Sequence, residues 1–94
     1  MASFESWLET YSDMFEAPAG SAEPQCPNCG HRTLRLLFTV RSGAAAGFAN
    51  LWCETCLEGI VISRAEIPAG AVIRDGDLPA EERVPRIPEY RLVV

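Results

Sequence analysis

Lysine is absent from this chain, histidine occurs once, and no basic residue stands among the first 25 positions. Each shortage excludes something. A generic polyanion binder carries excess positive charge, because phosphate contacts supply most non-specific nucleic-acid affinity. Here the formal charge is −5 and the sequence pI about 4.7. No apolar run approaches the roughly 18 residues that a membrane span needs, so no membrane partner is expected. The opening MASFESWLETYSD has acids where a secretory leader has positive charge, and it has no apolar block. A cytoplasmic location is the resulting expectation. With one histidine, no serine has an evident His–Asp partner, and no phosphate-cradling GxxxxGK loop is present. The chain is therefore expected not to be an enzyme. The all-arginine basic set, beside many alanines, reads as composition bias.

What is there belongs to a small globular protein. The 94 residues suffice for one domain, and with 48% apolar and 22% charged residues wholesale disorder is excluded. A chain this short buries a modest core and often leans on a metal or on disulfides. Charge is unevenly spread. Residues 1–25 hold Glu5, Glu9, Asp13, Glu16 and Glu23, while residues 26–94 hold eight arginines against eight acids. The N-terminal segment thus carries the whole imbalance.

Phe4, Trp7, Leu8, Tyr11 and Phe15 recur at helical spacing and predict an amphipathic helix within residues 1–16, with Ser3 as its cap. APAGSAEP (17–24) reads as a linker. In TLRLLFTVR (33–41), Leu34, Leu36, Phe38 and Val40 alternate with polar residues as in a half-buried strand, although Leu37 breaks the pattern. SGAAAG (42–47) suits a hairpin tip, FANLWC (48–53) a returning strand and IVIS (60–63) a third. The stretch 67–94 carries Pro68, Pro79, Pro85 and Pro88 and is read as an extended arm packing on what precedes it.

The strongest signal is the pattern C-x2-C-x23-C-x2-C, formed by Cys26, Cys29, Cys53 and Cys56. Two residues between cysteines let a tight turn aim both sulfurs at one ion, and two such turns supply the four thiolates of a closed tetrahedral zinc site. In a reducing compartment paired cysteines bind metal more often than they form disulfides. One structural zinc ion per chain is expected, with iron in the same four-thiolate site as the competing assignment. Gly30, after the first pair, suits a backbone turned with positive φ. His31 is read as lying outside a shell that the cysteines already complete.

Over residues 24–63 this arrangement resembles the zinc-ribbon and rubredoxin-like group of folds. CPNCGH matches the group's first knuckle. CETCLEG departs from it, because Leu57 follows Cys56 and glycine appears only at 59. The resemblance implies a small, metal-supported α+β fold: a zinc ribbon of three antiparallel strands over residues 25–66, flanked by the helix and the arm. Some ribbons resembling transcript-cleavage factors carry acids at the hairpin tip, and SGAAAG has none. IPAGAVIRDGDL (67–78) is similar to a short turn–strand–turn signature of SAF domains, too brief to imply the domain.

Three functions remain from these readings. The first is a non-enzymatic interaction or adaptor protein, whose helix face (Phe4, Trp7, Leu8, Tyr11, Phe15) either covers the ribbon or meets a protein partner or a second copy. The second is nucleic-acid or transcription-machinery association through Arg32, Arg35 and Arg41. The third is a rubredoxin-like iron electron carrier.

Overall fold

The computed structural model describes residues 3–16, 24–44, 46–67, 71–84 and 86–93. Most of the 17–24 linker and the turn at Pro68 lie outside them. Helix α1 spans Phe4–Glu16. Its cap is Ser3, whose Oγ accepts from the Ser6 N–H at 3.2 Å while its carbonyl accepts from Trp7. The apolar stripe turns inward. Trp7 is wholly buried, and Phe4, Leu8, Tyr11 and Met14 pack around it against the sheet. Glu5, Glu9, Asp13 and Glu16 remain on the exposed side.

The sheet has five strands, in the order β4-β1-β2-β3-β5. Strands β1 (Leu34–Val40), β2 (Ala46–Cys53) and β3 (Glu58–Glu66) form the expected antiparallel meander. The arm adds β4 (Ile73–Asp75), parallel to β1, and β5 (Arg91–Leu92), parallel to β3. The expectation of a three-stranded antiparallel sheet is therefore corrected to a mixed five-stranded one. The reason is backbone satisfaction: the outer edges of β1 and β3 offer unpaired N–H and C=O groups, and the arm fills both. The Val40 carbonyl accepts from Gly76 at 2.7 Å, and the Leu57 and Gly59 carbonyls accept from Arg91 and Val93, both at 2.8 Å. Pro79 and Pro88, which argued for extended chain rather than helix, fall between the two added strands.

Strand alternation divides the side chains between two faces. One face carries Leu34, Leu36 and Phe38 of β1, Ala49 and Leu51 of β2 and Ile60 and Ile62 of β3, and α1 covers it. The other carries Leu37, Asn50 and Trp52, and the arm crosses it between β4 and β5. Tyr90 of the arm stacks on Trp52 with ring centroids 5.9 Å apart and planes 13° from parallel. Its hydroxyl donates to Asn50 Oδ1 at 2.7 Å. Leu37, which breaks the alternation in sequence, is 2% exposed because this second face is covered as well. Gly59 lies directly beneath: a Cβ there would run into the Leu51 carbonyl and the Trp52 backbone.

Candidate metal centre

The two cysteine turns are built alike. In the first, the Gly30 N–H donates to the Cys26 carbonyl at 2.9 Å and Gly30 has φ +79°. In the second, the Leu57 N–H donates to the Cys53 carbonyl at 2.9 Å and Leu57 has φ +53°. Leu57 thus occupies the left-handed position that glycine takes in the first turn, which accounts for the departure of CETCLEG from the ribbon pattern. Left-handed backbone costs an ordinary residue about 1–2 kcal/mol. Gly59, the glycine two residues later, serves the packing under Trp52 instead.

The sheet holds both turns at one end. Cys53 closes β2, Cys56 lies in the β2–β3 turn and the first pair precedes β1. All four sulfurs lie within 4.8 Å of one another. Cys29 and Cys53 are separated by 3.6 Å, Cys26 and Cys56 by 3.8 Å. A tetrahedral thiolate shell with metal–sulfur bonds of about 2.3 Å has edges of about 3.8 Å. A disulfide would need about 2.05 Å, and all four cysteines are free. The cluster fits a metal ion, which would neutralise thiolates that the fold otherwise gathers at an electrostatic cost.

The surroundings act on the sulfurs in opposing directions, hydrogen bonds favouring the anion and burial the thiol. The N–H groups of Asn28 and Cys29 point at Cys26 Sγ from 3.4 and 3.5 Å. Thr33 Oγ1 lies 3.3 Å from Cys53 Sγ and 2.6 Å from Thr55 Oγ1. Burial pushes the Cys26 thiol up to about 12. Burial also acts to raise Cys53, but the Thr33 hydroxyl and the Cys56 and Thr55 N–H groups outweigh it and bring that thiol down to about 6. Cys56 is raised, again chiefly by burial. Such a site takes up metal as it gives up protons. His31 stays exposed, with Nδ1 3.4 Å from Cys29 Sγ, outside the four-sulfur set.

Sequence reading missed Glu58. It is 7% exposed at the start of β3 and accepts from Asn28 Nδ2, linking that strand to the first cysteine turn. Its period-two relation to Ile60 and Ile62 was the available signal, hidden because the third strand was expected to begin at Ile60.

The remaining candidate residues are dispersed. Phe4, Leu8 and Tyr11 pack partly buried against the sheet around Trp7, and Phe15 packs against Phe38, Ala49 and Ala65. Arg32 is exposed before β1. Arg35 pairs with Glu54 at 3.1 Å. Arg41 lies just past the opposite end of β1, six residues and about 20 Å from Arg35 at strand rise. No helix among the described residues is long and apolar enough to cross a membrane.

No protein-family model matches the chain, and neither a curated protein nor a solved structure does.

Proposed function

We propose that the chain is a non-enzymatic zinc-ribbon adaptor, in which one zinc ion held by Cys26, Cys29, Cys53 and Cys56 fixes the fold and the outer surface of α1 receives a protein partner. The four-sulfur cluster carries the reading. A metal with four thiolates has no open position at which to activate water or polarise a substrate, so its contribution is to stability. Zinc is preferred over iron because the second turn is not a CPxCG-type knuckle. The partner side follows from charge. Glu5, Glu9, Asp13 and Glu16 stand exposed on a helix whose apolar side already rests on the sheet, and the one ion pair among the described residues, Arg35–Glu54, lies elsewhere. A basic protein surface complements that face.

Native mass spectrometry with visible absorption tests the metal. One zinc per colourless chain agrees with the reading, whereas one iron with charge-transfer colour replaces it with electron transfer. Site-specific photo-crosslinking from position 9 or 13 tests the face. The crosslinked partner should disappear when Glu5, Glu9, Asp13 and Glu16 become Gln. A crosslink to a second copy would make the partner self. Crosslinks unchanged by neutralisation would sink the charged-face reading.

A further inference from the structure

The end of the sheet away from the cysteines gathers arginines that form no ion pair among the described residues. A cavity of about 150 Å³ between the β1–β2 hairpin and the start of the arm is lined by Arg41 and Arg83, with Thr39, Gly47, Phe48 and Gly76. Arg74 reaches Thr39 Oγ1 through its Nε at 2.7 Å, on the same face. Arg86 lines the adjoining hollow with Arg74 and Asn50. Half of the chain's eight arginines therefore meet here.

Three of these guanidinium groups are held by neutral acceptors, Arg86 through Nη2 to the Glu81 carbonyl at 3.1 Å. Arg83 donates through Nε to the Leu78 carbonyl at 2.8 Å and through Nη2 to the Gly76 carbonyl at 2.9 Å. Arg74 is held by a hydroxyl. Such contacts fix position without cancelling charge. Burial, and then the Arg83 charge, lower the Arg74 pKa from its ordinary value. The local acids are directed elsewhere. Asp77 accepts from the Ser42 N–H at 2.8 Å, Asp75 accepts from the Asp77 N–H, and strand alternation puts Asp75 on the opposite face from Arg74. Glu81 and Glu82 are exposed, and no carboxylate among the described residues pairs with any of these four arginines.

We propose that the Arg41–Arg83 cavity, with Arg74 beside it, binds the phosphate group of a small ligand. Guanidinium groups present planar forks of N–H donors suited to tetrahedral oxyanions. Those of Arg74 and Arg83 are already oriented, so little side-chain ordering opposes binding. A dianion answers two like charges better than a single carboxylate does, and several carboxylates of the chain stand nearby without taking the position. Phe48, 54% exposed at the cavity wall, offers a flat apolar face next to the phosphate position. That face separates two sources of the same group: inorganic phosphate ignores it, whereas a nucleotide stacks on it.

The test is an NMR titration of the metal-loaded protein with inorganic phosphate and, separately, with adenosine monophosphate, at constant ionic strength. Saturable shifts confined to residues 39–48 and 74–83 are expected, in the millimolar range for phosphate alone. Arg41→Gln, at an exposed position, should weaken binding about tenfold, the loss of one charge-assisted contact. Arg74→Gln should act similarly, with an unchanged amide spectrum elsewhere as the control for folding. If the nucleotide binds more tightly than phosphate and Phe48→Ala removes the difference, the ligand is a nucleotide. If the two bind equally, it is phosphate or a phosphorylated compound without a ring. No saturable shift for either probe, or binding that survives both arginine substitutions, overturns the proposal.

Discussion

The two faces of the sheet are covered by different means. On one, α1 brings Trp7, Leu8 and Tyr11 to an apolar surface that is continuous with the cysteines: Cys26 and Cys53 belong to the same buried cluster as Trp7, Leu34, Leu51 and Ile60. On the other, the arm lays Tyr90 on Trp52 and fastens it with a hydroxyl–amide hydrogen bond. The first face joins the four-cysteine site and the core into one unit. The second is a strap with one aromatic clasp and two short strands. Loss of metal should therefore be felt first under the helix, and loss of the clasp should leave the helix in place.

The largest effect expected is from Cys29→Ser or Cys56→Ser, or from a strong chelator. Structural zinc sites in small folds have apparent binding energies of about 10–16 kcal/mol, against domain stabilities of about 5–15 kcal/mol. Unfolding of both faces, seen as collapse of amide dispersion together with loss of metal, is the expected outcome. A metal-free variant with α1 still docked would break the link drawn between metal and core. Trp7→Ala comes next. Removing a wholly buried indole costs about 3–5 kcal/mol, and thermal unfolding should show it with metal stoichiometry preserved below the transition.

The contrast between faces also explains what could be read from sequence. The helix side was legible because its signals are local and periodic. Trp7, Leu8 and Tyr11 fall on one stripe, Leu34, Leu36 and Phe38 alternate, and two CxxC pairs stand a hairpin apart. The four-sulfur cluster could be read for the same reason. The arm side was legible only as extended chain packing on the ribbon, without its strand pairing. β4 and β5 have three and two residues, too few for any period, and they exist because β1 and β3 have edges to fill. Leu37 looked like an error of alternation until a second cover was present. The arginine cavity joins Arg41 to Arg83, 42 positions apart in sequence, so no window along the chain contains it.

Breaking the clasp should have a middling effect. Tyr90→Phe keeps the stack on Trp52 and removes the bond to Asn50, for about 1 kcal/mol. Hydrogen exchange should rise at Arg91 and Val93 while α1 stays protected. Alkaline titration reaches the same contact without mutation. Burial pushes the Tyr90 phenol up to about 12 from its ordinary value of 10.0, so the docked arm favours the neutral phenol. Its contribution is fully present below pH 10 and is lost as the pH rises through about 12. Phenolate absorbance should show late ionisation, which Asn50→Ala brings earlier. Ionisation with no change in β5 exchange would mean that the arm is held by its backbone bonds alone.

The smallest effect lies at the two cysteine turns, where the same backbone shape is made by Gly30 and by Leu57. Leu57→Gly removes left-handed strain of about 1–2 kcal/mol but loosens the unfolded chain by about 0.4–1 kcal/mol. The net gain should be at most about 1.6 kcal/mol, measurable as a small rise in midpoint with the metal bound. Gly30→Ala creates the strain and tightens the unfolded chain at once, so it should cost about 1 kcal/mol. Space does not enter, since a Cβ at 30 meets nothing within 4 Å. Opposite signs at the two positions would show that both turns share one backbone requirement. Equal signs would mean that Leu57 is held by something beyond φ, and its carbonyl, which receives the Arg91 N–H at 2.8 Å, would be the place to look.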